Sequence, residues 1–437
     1  MKPYKIKNML ILLITIVVSV GTAWGQSTDS LNHYLEVAAR NNPGLNANFL
    51  AYKASLERVP QAGTWSDPQL DIGFFLKPMD IVGGSQVADF TLMQMFPWFG
   101  TKKAAQTEAT HMAKMVYEEF RETRDQLFLE VYSQWYTLSS LKQQLKNNND
   151  NLQLLSQLEQ LARQKMSTAT FMSNDMGGSS GLSSVLRVQL EVAEIENNIE
   201  SLLSEIEAEK AKFNALLNRS ADFDVMVPDT IIKVPFLFNE MEAINEIERQ
   251  NPMLGMIMEE EQAYRAKSEM DKKMSYPMLG IGLQYMVIGK SSSPTMDQNN
   301  HNGMNGMDMV MPMVSISLPI FRNKYKAKQR ESRYMWESAQ EKYNNILNSL
   351  QSDLFKFKHQ LEDAERNIAL YQKQKNLALT AYQLIIQEFV TAKSDLTNVI
   401  EVQRQLLDYK IKEAEAIADY NIKVAEINSL RSFSNTN

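Results

Sequence analysis

Gln69-Leu70-Asp71-Ile72-Gly73-Phe74-Phe75-Leu76 and Met278-Leu279-Gly280-Ile281-Gly282-Leu283-Gln284-Tyr285-Met286-Val287 share one alternation. Leu70, Ile72, Phe74 and Leu76 take every second place in the first stretch. Leu279, Ile281, Leu283, Tyr285 and Val287 do so in the second. Each stretch follows a proline, Pro68 and Pro277, 209 residues apart. Successive strand side chains point to opposite faces, so each stretch predicts a strand with one apolar face and one small or polar face. Each has a companion: Ala88, Phe90 and Leu92 alternate with Asp89, Thr91 and Met93, and Val314, Ile316 and Leu318 alternate with Ser315 and Ser317.

Around these strands the second half of the chain repeats the first. Asn42-Pro43 recurs as Asn251-Pro252, and Phe96-Pro97 is echoed by Leu318-Pro319. Ser184-Val185-Leu186 with Val188-Gln189 is echoed by Asn398-Val399-Ile400 with Val402-Gln403. Each copy reads helix, strand, loop, strand, long helix, tip, helix. The expected division is a leader at 1–25, a first repeat at 26–230 and a second at 231–437.

The helices carry a seam. Val185, Val188, Val192, Ile195, Ile199, Leu202, Ile206, Glu209, Phe213 and Leu216 step by three and four, as do Leu347, Leu350, Leu354, Phe357, Leu361, Ala364, Ile368 and Tyr371. That spacing marks coiled-coil packing. Residues 101–165 predict a helix of about 100 Å at ~1.5 Å per residue, and 322–390 a second one. The shorter helices 31–60 and 182–219 nearly match the first long one when stacked end to end, and 239–273 with 395–431 match the second.

The chain opens as an export signal does. Lys2, Lys5 and Lys7 precede an apolar run from Met9 to Val20, and Ala23-Trp24-Gly25 offers a cleavage site. That run is too short to span a bilayer, which needs roughly 20 residues. Among the 437 residues there is no cysteine, which excludes disulfides, thiolate metal sites and a lipidated N-terminal Cys. The net charge is −7, and −10 without the leader's three lysines, which argues against nucleic acid as a partner. The four His (His33, His111, His301, His359) lie far apart. No His-Glu-x-x-His pair, nucleophile elbow or phosphate-binding glycine loop is present. No enzyme and no cofactor is expected.

Alternation alone fits a half-buried strand in a soluble sheet as well as a strand with lipid on one side and water on the other. Two repeated pairs of strands on an exported chain with no other core favour the membrane. Open edges are not viable in lipid, so other copies must complete the sheet. Eight strands already fill a barrel with side chains; three copies would supply twelve and leave a pore.

This arrangement resembles the outer-membrane efflux protein family, the TolC-type channels, over essentially the whole chain beyond the leader. The resemblance rests on the duplication and on the strand exits Gln94-Met95-Phe96-Pro97-Trp98-Phe99-Gly100 and Ser317-Leu318-Pro319-Ile320-Phe321. It rests also on Phe171 to Gln189 and Phe389 to Gln403, where a small-residue turn leads into an aliphatic helix with a Gln. It implies a mainly α fold with a membrane β-barrel: a homotrimer whose twelve-stranded barrel sits in outer-membrane lipid above a helical periplasmic tube. The implied function is a passive exit duct docked to a periplasmic adaptor and an inner-membrane pump. Gly181-Leu182-Ser183 resembles the tip motif that meets the adaptor; the second tip, Thr391-Ala392-Lys393-Ser394-Asp395, lacks the glycine.

Substrate chemistry points two ways. Met296 to Met313 joins the second strand pair and holds Met296, His301, Met304, Met307, Met309, Met311 and Met313. Met307, Met309, Met311 and Met313 alternate, so strand geometry puts them on one side, the lumen. Thioethers with a His suit Cu(I) or Ag(I), the cargo of heavy-metal (Cus-type) members of the family. Met166, Met172, Met176 and Met286 add to this set. Met is also a flexible gap filler, and a chain with 26 of them clusters easily, so organic substrates stay open. Asp175 and Asp395 stand at the two tips and would ring the entrance with negative charge, or cap helices. A secreted coiled-coil scaffold that transports nothing is the rival from another class.

Overall fold

In this computed structural model, residues 31–81, 83–172, 178–290, 306–391 and 393–433 are described. Their elements run α1 (Leu31–Asn41), α2 (Pro43–Gly63), β1 (Gln69–Ile81), β2 (Gly84–Phe96), α3 (Thr101–Met172) and α4 (Gly178–Leu216). Then come α5 (Glu240–Gln250), α6 (Pro252–Lys273), β3 (Met278–Gly289), β4 (Met309–Ser317), α7 (Arg322–Val390) and α8 (Leu396–Leu430). The leader at 1–25 lies outside the described residues.

The two Asn-Pro steps split helices that the sequence reads as single. Proline cannot donate to the turn before it and pushes its predecessor out of the helical region. Asn251 therefore caps α6, its side chain accepting from Met253 N at 3.0 Å and Leu254 N at 3.3 Å. Asn42 accepts from Leu45 N at 3.0 Å and donates to Leu216 O at 3.0 Å, joining the α1–α2 break to the last turn of α4.

The strands form one antiparallel sheet in the order β1-β2-β3-β4. Gln69 pairs with Met93, Met93 with Gly282 and Gly282 with Met313, which fixes the register across all four. The register of β1 shifts between Phe74 and Met79, the stretch that contains Pro78. The sequence leaves Met309–Met313 in a loop, but they belong to β4. Pro312 lies on β4, which ends the sheet among the described residues, a place where a missing N–H breaks no ladder within it.

Two compact units divide the described residues. One, drawn from 31–46, 124–240 and 352–433, is helical. Its largest core packs Leu155 and Leu158 of α3 with Val185 and Val188 of α4, Tyr382 and Phe389 of α7, and Val399 and Leu406 of α8. The predicted seam positions Ile195, Ile206, Phe213, Leu354 and Leu361 are buried. Tyr34, Trp135 and Phe213 form an aromatic knot, with Tyr34 and Phe213 centroids 5.0 Å apart. Asn421 holds the segment before α5 by accepting from Val234 N and donating to Ile232 O, each at 2.9 Å.

The other unit, 47–123 and 241–351, holds the sheet with most of α2, with α5 and α6, and with the N-terminal parts of α3 and α7. Its helices are bound by polar contacts: Trp336 Nε1 donates to Glu261 at 3.0 Å, Lys342 to Glu260 at 2.9 Å, and Ser332 to the buried Asp271.

Candidate functional site

The sheet has two unlike faces. On one, register aligns Leu70, Leu92, Leu283 and Pro312 in one row and Ile72, Phe90, Tyr285 and Val310 in the next. Gln94 is the polar member of a third row with Ile281 and Val314. This face is not a core: Ile281 is 63% exposed and Val314 78%. A contiguous exposed apolar patch marks contact with lipid or a partner. The outer edges of β1 and β4 have no strand partner among the described residues.

On the opposite face Asp71, Thr91, Gln284 and Met311 share a row, as do Gly73, Asp89, Met286 and Met309. Met93 and Met313 flank Gly282, and Met95 and Ser315 flank Gly280. The two glycines make room for thioethers. A Cβ on Gly280 would stand 2.6 Å from Met95 Sδ and 3.3 Å from Met93 Sδ; one on Gly282 would stand 2.8 Å from Met93 Cε. Gln86 Nε2 donates to Met286 Sδ at 3.5 Å.

The expected methionines fall here in part. Met309, Met311 and Met313 share the polar face with Met286, and Met307 precedes β4 and is exposed. Met296, His301 and Met304 lie outside the described residues. Met93 and Met95 are the neighbours that sequence reasoning missed as candidates. Their signal was parity, since both fall in step with Asp89 and Thr91. Among the described residues no three His, Cys, Asp or Glu side chains converge as a metal site.

At the strand exits the aromatic residues gather. Trp65 meets Phe96 edge-on at 5.0 Å, Trp98 stacks on Tyr276 at 5.3 Å, and Lys102 Nζ lies 3.3 Å from the Trp65 centroid. Aromatic rings and lysine stems suit a membrane–water boundary, where one end is wet and the other apolar.

The helix tips belong to the helical unit. Gly181, Leu182 and Ser183 lie in the first turns of α4. Leu182, Leu186 and Leu190, four apart, make an exposed apolar stripe. The Gln of each tip segment braces α3: Gln189 donates to Glu159 at 2.9 Å, and Gln403 to the buried Asn151 at 2.9 Å. Arg187 donates to Thr397 Oγ1 at 2.8 Å, and Arg404 grips Glu191 through Nε, also at 2.8 Å, and Nη2. Hydrogen bonds from Arg163 and Gln189 hold the Glu159 carboxyl below its ordinary range. Asp395 caps α8, accepting from Leu396 N at 2.7 Å. Asp175 and Met176 lie outside the described residues, while Met166 and Met172 fall on the last turns of α3.

Solved structures share this architecture. CusC, described for transmembrane channel formation, matches with a TM-score of 0.72 at 13% identity, over 93% of this chain and 92% of that one. The outer membrane protein VceC of Vibrio cholerae matches at 0.70 and 15% identity, over 92% and 95%. The CmeC outer membrane channel of Campylobacter jejuni matches at 0.69 and 12% identity, over 94% and 90%. No family model matches the chain, and no curated protein does. At these identities the likeness shows the fold: this chain folds as those outer-membrane channels do. Among the described residues no helix is long and apolar enough to cross a membrane.

Proposed function

We propose that this chain is the outer-membrane channel of a tripartite efflux system, a passive duct with no catalytic residue. The observation that carries this is the exposed apolar face on a sheet whose two edges are open among the described residues. Such a face costs roughly 25 cal/mol for each Å² left in water. Lipid removes that cost, and strands of sibling copies close the edges. Three copies then wall a twelve-stranded barrel, with Asp71, Thr91, Gln284 and the methionines turned to its water-filled lumen.

On this reading residues 1–25 are cleaved on export. Repeats 26–230 and 231–437 descend from one unit, a view supported by their matching run of elements. The helical unit stands in the periplasm. Its tip, at Gly181, Leu182 and Ser183, meets a periplasmic adaptor that joins the duct to an inner-membrane pump. The exposed stripe of Leu182, Leu186 and Leu190 supports a helical partner there. Asp175 and Asp395 stand at the entrance, Asp395 as a cap first.

The cargo we assign is a soft monovalent metal ion, Cu(I) or Ag(I). Met93, Met95, Met286, Met309, Met311 and Met313 on one face support it, with Met304, Met307 and His301 beyond the strands. Drugs or other organic compounds are the second reading, since Met also fills gaps without binding anything.

Fractionation with subunit counting tests the channel. An outer-membrane trimer that requires detergent is expected; a soluble monomer or dimer would leave the coiled-coil scaffold as the better account. Silver and copper tolerance of a deletion strain tests the cargo: unchanged tolerance removes the metal and leaves the duct.

A further inference from the structure

Six cations crowd the first turns of α7: Arg322, Lys324, Lys326, Lys328, Arg330 and Arg333, with Glu331 the one acid among them. Arg322, Lys326, Arg330 and Arg333 are spaced by four, four and three, so they lie along one face of the helix. Like charges at that spacing repel and weaken a helix. Among the described residues only Arg333 of the six has an acidic partner, Glu337 at 2.8 Å. A stripe of this kind calls for negative charge from elsewhere.

The stripe lines a groove with a chemical gradient. One cavity of about 690 Å³ is bordered by Tyr276, Pro277, Leu318 and Ile320, and reaches Arg322 and Lys326. A second, of about 580 Å³, is bordered by Lys272, Lys326, Arg330 and Arg333, with Glu269 its one carboxylate. Lys326 and Gln329 belong to both. Leu318 and Ile320, 68% and 71% exposed, continue the parity of Val314 and Ile316. The apolar end therefore runs on from the apolar face of the sheet, and the cationic end lies further along α7.

We propose that this groove binds an anionic phospholipid. Its acyl chains would lie over Leu318 and Ile320, and its phosphate among Lys272, Lys326 and Arg330. A soluble anion would use only the cationic end, and a zwitterionic lipid would leave the stripe unneutralised. The proposal rests on the membrane reading above, because it needs the apolar face to lie in lipid.

The full-length protein, purified in detergent, is titrated by native mass spectrometry with dioleoylphosphatidylglycerol, dioleoylphosphatidylcholine and the water-soluble glycerophosphoglycerol. Retention of the glycerol lipid over the choline lipid is expected, and none of the soluble head group. Replacing two cations, Lys326→Gln with Arg330→Gln, is expected to weaken that lipid about thirtyfold. Lys326→Arg with Arg330→Lys is expected to keep it, which separates lost charge from lost folding. Equal binding of both lipids, equal binding of the head group alone, or an unchanged Gln variant overturns the proposal. So does a zero-length cross-link from Lys326 to a second copy that added lipid does not suppress. A detergent-requiring trimer with no lipid preference defeats this inference alone. A protein that stays in solution without detergent defeats the channel and the lipid site together.

Discussion

Leu70 of β1 and Leu92 of β2 stand opposite each other in register, yet they are 58% and 48% exposed. Two leucines paired across a sheet should bury one another and be covered from above. Among the described residues nothing covers them, and the same holds for Leu283 in their row. An apolar face left open in this way suits contact with lipid or a partner.

Charge on that face should therefore be costly only on one side of the strand. Leu283→Arg is expected to destabilise the inserted protein by roughly 2–4 kcal/mol, the scale for Arg near the bilayer midplane. Gln284→Arg, one residue on, should cost little. Folding equilibria in lipid vesicles measure both.

Close approach over β3 gives a second test. A Cβ at Gly282 would stand 2.9 Å from the Leu92 carbonyl as well as 2.8 Å from Met93 Cε. Gly282→Ala is expected to cost about 1–3 kcal/mol. Met93→Ala should not rescue it fully, because the carbonyl stays in place. Gly280→Ala meets the flexible Met95 thioether first, and Met95→Ala should relieve most of the cost, leaving the tighter approach to Ser315 Cβ at 3.0 Å. Denaturant titrations of the single and double variants decide this.

In the helical unit, Gln403 and Asn151 are buried partners on α8 and α3. Asn151→Ala strands the Gln403 donor and is expected to cost about 1–3 kcal/mol. Adding Gln403→Leu should recover part of that loss, a coupling that a double-mutant cycle reads directly.

Burial raises the Glu108 carboxyl above its ordinary value of 4.5; Lys267 opposes the shift and Asp271 adds to it. A raised carboxyl contributes stability that is present below 4.5 and lost as pH rises through its folded value. Glu108→Gln should thus raise the melting temperature relative to wild type at pH 7. The gap should close below about pH 4.5. A gap that widens in acid would reverse the sign of the shift.

Replacing Met307, Met309, Met311 and Met313 together with Ser is expected to lower silver tolerance while leaving trimer yield intact. Full tolerance in a strain expressing this variant would remove the thioethers from transport.

Much of this was legible in the sequence because alternation and heptads need only one residue's identity at a time. Leu70, Leu283 and Ile316 announced their strands, and 322–390 its helix. The bounds of β1 and β4 were harder to read. Pro78 and the register shift break the period of β1, while Met309-Val310-Met311-Pro312-Met313 shows no contrast between polar and apolar. Asn42 and Asn251 read as marks of repetition, and only the hydrogen bonds show them as helix breaks. Meetings such as Met93 over Gly282 depend on register between strands far apart in the chain, which no local pattern encodes.

The absence of native cysteine makes the most direct test clean. Single cysteines placed in turn at Thr91, Leu92, Leu283, Gln284, Val314 and Ser315, none of them a close-packed glycine, are exposed, in native membranes, to a membrane-impermeant maleimide. Positions 91, 284 and 315 should label through the lumen, while 92, 283 and 314 resist and instead respond to lipid-borne quenchers. Equal labelling of all six, or protection that ignores parity, would contradict a wall with lipid on one side and water on the other.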